Sequence, residues 1–192
     1  NQDDALARYD GNKGNGDGII QAEEWAKEPF DYVGWMILDD VQILGFDKIG
    51  DSGTGVGGRW EEAEFMDTPF GELAQNNFDT NGLASDDDFT TELYPGTQLG
   101  GDTMFRLREG IERFLITDIN NPGSSVSAST IVPVVWDHIS TNVKDFNHVP
   151  GGANVLYLDG HVDFLRYPGD RFPMTPDSAR TFGRYNRPFD GF

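Results

Sequence analysis

Apolar and polar positions are most sharply patterned in NVLYL-DG-HVDFL, residues 154–165. Two short apolar runs around Asp-Gly predict a β-hairpin, because a two-residue type I′ turn needs positive φ at both central positions and Asp and Gly adopt it at little cost. With Asp159 and Gly160 as the loop, Leu158 pairs with His161, Tyr157 with Val162 and Val155 with Phe164. Val155, Tyr157, Val162 and Phe164 then form a core face, and Leu156, Leu158, His161, Asp163 and Leu165 share the other. Gly151-Gly152 predicts a second bend, leading back to a strand around 145–147. TIVPVVW (130–136) reads as a further strand, with Pro133 favouring an edge or a bulge.

Helical spacing is clearest over 102–120. Leu107, Ile111, Phe114, Leu115 and Ile119 fall on one face, Asp102 stands at the cap position, and Asn120-Asn121-Pro122-Gly123 ends the run. Gly110 inside it costs up to about 1 kcal/mol of helix propensity. Residues 1–9 read as a short helix or the end of a longer one, and 19–30 as a helix up to Pro29. In 31–46, apolar but broken by Gly34 and Asp39-Asp40, helix and strand both fit. Residues 50–58 and 79–88 are polar loops, and the proline-rich chain after Tyr167 is expected to wrap over the surface. No internal repeat is visible.

Composition narrows the function. Lys and Arg number 14 against 33 Asp and Glu, for a net charge of −19. That surface repels phosphate backbones and attracts divalent cations, so nucleic acid is not an expected partner. With no cysteine, disulfides, thiolate nucleophiles, Cys-ligated zinc and iron–sulfur clusters are all excluded, while the compartment stays open. No apolar run approaches the roughly 18–20 residues of a membrane span. The sequence starts at Asn1 without Met or a signal peptide, as expected of a processed or truncated chain.

Little in the sequence points to catalysis. His161 and Asp163 share a strand face and make an acceptable ligand pair, but His138, His148 and His161 lack the dense spacing of a zinc motif. There is no Gly-x-Ser-x-Gly elbow, and paired carboxylates carry no information in so acidic a chain. A non-enzyme is expected, with no catalytic residue. Trp35 or Trp60 suits a sugar-stacking surface or, more often for tryptophan, a core.

His148, the ten residues VPGGANVLYL and Asp159-Gly160, followed by His161-Val162, resemble the signature of the bacterial prepilin-type processing-associated family, whose name counts nine residues between the His and the Asp-Gly. FRLREGIERFLITDINNPG (105–123) and VPVVWD (132–137) resemble accompanying segments, so the likeness spans about residues 100–170. Members resemble type IV pilins and type II secretion pseudopilins. The resemblance implies an α+β ectodomain, a pilin-like antiparallel β-sheet packed on helix, joined to an apolar N-terminal helix that bundles into a filament. It implies self-assembly, other pilin-like subunits as partners, an extracellular or cell-surface location, and membrane contact only through that helix, which this sequence lacks. One ectodomain over 1–192 is expected: an N-terminal part (1–30), a variable insertion (31–99), the family-like region (100–170) and a surface tail (171–192).

DGNKGNGDGIIQAEE carries an independent signal for calcium. An EF-hand loop offers oxygens at positions 1, 3, 5, 7, 9 and 12, with glycine at 6 and an apolar residue at 8. With Gly18 at 6, Asn15 falls at 3, Asp17 at 5, the Ile19 carbonyl at 7, Ile20 at 8, Gln21 at 9 and Glu24 at 12. Lys13 at position 1 cannot ligate, and a three-residue bulge lets Asp10 or Asn12 take its place. The predicted metal set is therefore Asp10, Asn12, Asn15, Asp17, Ile19 and Glu24, an EF-hand-like N-terminal loop among long irregular loops. Asp86-Asp87-Asp88 or Asp79 with Asn81 could hold a second ion, but solvated loops fit them better. The alternative function is a secreted calcium-dependent carbohydrate- or protein-binding module, with an acid-rich hydrolase below both.

Overall fold

The computed structural model describes Gly18 and residues 30–80, 86–91, 103–111, 129–142, 146–148 and 151–185. Segment 31–46 divides at its polar breaks. Phe30–Tyr32 forms strand β1, and Trp35 makes an isolated antiparallel bridge to Arg106. Asp39 then caps helix α1 (Asp40–Leu44) by accepting the Gln42 N–H at 3.2 Å, and Gly45 follows the helix at φ +74°. Such a cap is worth about 1 kcal/mol. Helices α2 (Glu62–Met66) and α3 (Pro69–Asp79) follow, α2 closed by a reciprocal capping box between Glu61 and Glu64.

The helix expected over 102–120 does not form in its described part. Thr103–Met104 is strand β3, antiparallel to β2 (Phe89–Thr90), and Gly110 takes φ +81°. The Met36 N–H donates to the Phe105 carbonyl and the Leu107 N–H to that of Gly34, both at 2.8 Å. The Arg106 guanidinium donates to the Gly34 carbonyl and lies 5.2 Å from the Trp35 ring centroid. Tertiary pairing thus overrides helical spacing here. Residues 112–120 lie outside the described residues.

Strands β4 (Pro133–Asp137), β5 (Gly152–Tyr157) and β6 (Val162–Arg166) join β1 in an antiparallel sheet ordered β1–β4–β5–β6. Pro133 sits where the β4–β5 register shifts, a bulge, and beyond the β4 residues that pair with β1. Its missing N–H therefore costs no β1–β4 hydrogen bond. Phe146 and Asn147, where a strand was expected, are not in one. The described residues make a mixed α+β structure in which the four-stranded sheet, the two-stranded β2–β3 pair and four helices share a core.

The hairpin forms with a different register. Leu156 faces Val162 and Asn154 faces Phe164, so the loop is Leu158-Asp159-Gly160. The Gly160 N–H donates to the Tyr157 carbonyl at 2.9 Å and Gly160 takes φ +90°, the three-residue loop that ends on a left-handed glycine. One residue of slip sends alternate side chains to the other face. Val155 and Tyr157 stay in the core, but Val162 and Phe164 leave it and are 57% and 53% exposed.

The described part of the tail, 168–185, is also not a surface wrap. Phe172, Met174, Ala179 and Phe182 are buried, and Pro176–Tyr185 forms helix α4. Thr175 caps it, accepting the Ser178 N–H at 3.0 Å, with Pro176 at the first helical position. Phe182 completes an aromatic cluster, its ring centroid 5.2 Å from Trp136 of β4 and 5.3 Å from Phe70 of α3. The helices thus close the inner face of the sheet.

Asp40 ties α1 to α4. It accepts hydrogen bonds from the hydroxyls of Thr175, at 2.7 Å, and Ser178. Burial is the main cause raising its pKa, against those two hydrogen bonds. The folded chain therefore holds the proton more tightly than the unfolded one, and this stabilisation, full below the unfolded value near about 3.9, is lost as pH rises through the folded pKa. Asp40→Asn keeps a carbonyl acceptor without the buried charge. Relative to the parent it should gain stability between pH 3.5 and pH 7, read as urea midpoints at the two pH values. A parallel response of the two proteins would contradict this account.

Candidate functional site

The hairpin and the outer face of its sheet gather most of the residues that the sequence singles out. Strand pairing aligns Tyr32, Val135, Leu156 and Val162 in one cross-sheet row on the face opposite Trp136 and Val155. Phe164, the next outward position on β6, lies near this row. Tyr32 is 50% exposed, and Val135 and Leu156 are half-buried. Among the described residues this is a sheet face with aromatic and aliphatic side chains turned to solvent.

Gly152 explains how Phe164 lies across its neighbour. A Cβ on Gly152 would sit 2.5 Å from Cζ of the Phe164 ring and 2.7 Å from the Leu165 carbonyl oxygen. The aromatic ring covers a glycine on the adjacent strand, a packing that fixes register.

Beside Phe164 stands His148. Its Nε2 lies 3.0 Å from Asp137 Oδ2 and 3.0 Å from the Asn154 side-chain nitrogen, and its ring meets Phe164 edge-on at 5.9 Å. Asp137 Oδ2 also accepts the backbone N–H of Asn154 at 2.8 Å and its side-chain N–H at 2.9 Å. Asp137 and Asn154 thus clasp β4 to β5 and anchor the segment that carries His148.

His161 is placed differently. It stacks on Tyr157 at 4.4 Å and 3°, and its Nδ1 meets Asp159 Oδ1 at 2.5 Å. The His161 backbone N–H, and then its side chain, hold the Asp159 carboxyl below the usual range. Asp163 lies 3.7 Å from the other ring nitrogen. His138, mostly buried, meets the buried Asp31 at 3.3 Å. All 3 histidines of the chain therefore pair with an aspartate, and each sits where it joins backbone segments. Among the described residues no three metal-binding side chains converge.

Of the predicted calcium ligands, Asp10, Asn12, Asn15, Asp17, Ile19 and Glu24 lie outside the described residues. Gly18 is described and takes φ +87°, with open space around the position a Cβ would occupy. Asp88, weighed for a second ion, accepts the Arg106 N–H and pairs with the Arg108 guanidinium, both at 2.8 Å. Trp35 and Trp60 are buried, at 8% and 3%, so neither offers a sugar-stacking surface.

Sequence reasoning missed Asp137 and Asn154 as partners of His148, and missed the outward turn of Val162 and Phe164. The available signal was Asp-Gly, which fits a three-residue loop closed by a left-handed glycine as well as the two-residue loop expected. Compared with protein-family models, curated proteins and solved structures, the chain matches none.

Proposed function

We propose that this chain is an assembly subunit, the ectodomain of a pilin- or pseudopilin-like filament at the cell surface, with a calcium ion clipping its N-terminal loop. The observation that carries the reading is the outer sheet face, where Tyr32, Val162 and Phe164 are each half or more exposed beside Val135 and Leu156. A subunit with net charge −19 repels its copies across most of its surface. This largely uncharged face is where two copies approach at least electrostatic cost. Paired His–Asp groups in joining positions agree with a structural role.

Support for calcium is the coincidence of Gly18, Ile20 and Glu24 at the offsets of an EF-hand loop, together with positive φ at Gly18, which the sharp turn at position 6 of such a loop requires. The ion serves as a clip rather than a sensor, because sensing loops work in pairs.

The test is the double variant Tyr32→Ser with Val162→Thr. Both positions are exposed on the sheet, so the fold should hold while self-association weakens about tenfold or more, about 1.4 kcal/mol. Sedimentation velocity reads this directly. Unchanged association would remove the outer face from the assembly. A chain that stays monomeric and binds a glycan or a protein through this face would establish the binding-module alternative instead.

A further inference from the structure

The ladder between β5 and β6 fixes what β6 presents to solvent. The Tyr157 N–H donates to the His161 carbonyl at 3.0 Å and the Tyr167 N–H to the Gly151 carbonyl at 3.4 Å. In an antiparallel pair, hydrogen-bonded positions alternate. Asp163 and Leu165 therefore turn their backbone groups toward β5, whereas the N–H and C=O groups of Val162, Phe164 and Arg166 point out of the sheet. Among the described residues β6 is the end of the sheet order and no strand pairs with its outer side. Natural proteins blunt such edges with charged side chains, proline, bulges or very short strands. VDFLR has no Lys, no Pro and no bulge, and its guard is Asp163 among the inward-facing positions, so pairing depends on keeping Asp163 away from like charge.

We propose that this edge receives β6 of a second copy, antiparallel, joining the two sheets into one. The charges on the strand select the register. Positions whose backbone groups point out of the sheet must oppose one another, so Phe164 faces Val162, Phe164 or Arg166 of the second copy. The first arrangement sets the two Asp163 directly opposite, and the second offsets them by two residues, roughly 7 Å along the strands, close to the Debye length of about 8 Å. The third offsets them by four residues, roughly 13 Å, where they are screened. It also sets the Arg166 cation of each copy against the Phe164 ring of the other, a favourable cation–π pairing made twice. Leu165 then meets its own counterpart on the two-fold axis, and Asp163 faces Tyr167. The outer faces of the two copies then meet across the two Arg166–Phe164 pairs.

The inference rests on the assembly reading in taking a second copy as the occupant. Hydrogen–deuterium exchange of the full chain across a concentration series separates the two claims. The amides of Phe164 and Arg166 should exchange freely in dilute solution and become protected as the protein is concentrated. Those of Asp163 and Leu165, facing β5, should be protected throughout and report that the fold is intact. Arg166→Glu, a surface change, should weaken association about tenfold or more. Association that leaves the Phe164 and Arg166 amides unprotected would overturn edge pairing while the assembly reading stands. A chain that does not associate at any concentration would overturn both.

Discussion

Replacing Glu24 with glutamine should weaken calcium binding by roughly 10- to 100-fold, because the proposed site would lose one unit of ligand charge and the bidentate carboxylate that an EF-hand loop places at position 12. A ligand at about 100 times its Kd stabilises the folded state by about 2.7 kcal/mol. For a domain of this size that raises Tm by roughly 5–10 °C. The parent chain should show that rise in millimolar calcium and lose it on chelation, whereas Glu24→Gln should show little of either. Equal shifts in both proteins, or none in the parent, would remove calcium from the account. Gln21→Ala is the comparison within the loop: at position 9, often filled through a water, it should cost much less.

Trp136→Ala should have the largest effect on the fold, a loss of about 3–5 kcal/mol. Trp136 is 2% exposed and meets Phe172 and Phe182 edge-on at 5.4 and 5.2 Å. It is where the sheet and the C-terminal helix share one core. A domain with the usual 5–15 kcal/mol of stability would lose about a fifth or more of it. Thermal melting should shift down by roughly 6–20 °C, or cooperative unfolding should disappear. Trp136→Phe, which keeps an aromatic ring in the cluster, should cost less than half as much. A small effect of Trp136→Ala would mean that α4 and the sheet do not depend on one another.

The parts of this fold legible in the sequence are those whose signal is local. The Asp-Gly hairpin formed between the expected runs, and Pro133 marked a bulge. What a local pattern could not fix was parity. Asp-Gly serves a two-residue loop or a three-residue one, and the choice moves Val162 and Phe164 from core to surface. Helical spacing in 102–120 misled because Phe105 and Leu107 take backbone partners some seventy residues earlier in the chain, at Met36 and Gly34. The tail misled because its prolines suggested an irregular surface segment, although Thr175-Pro176 is also a helix start. For the candidate site, His148 and His161 were visible as unusual residues. Their partners Asp137, Asn154 and Tyr157 emerge only when β4, β5 and β6 are paired.

Sedimentation velocity of the parent chain, over a range of concentrations in millimolar calcium, tests the central claim of assembly most directly. The account predicts species larger than the monomer that grow with concentration and diminish in the Tyr32→Ser, Val162→Thr variant. A single monomeric species throughout would contradict it.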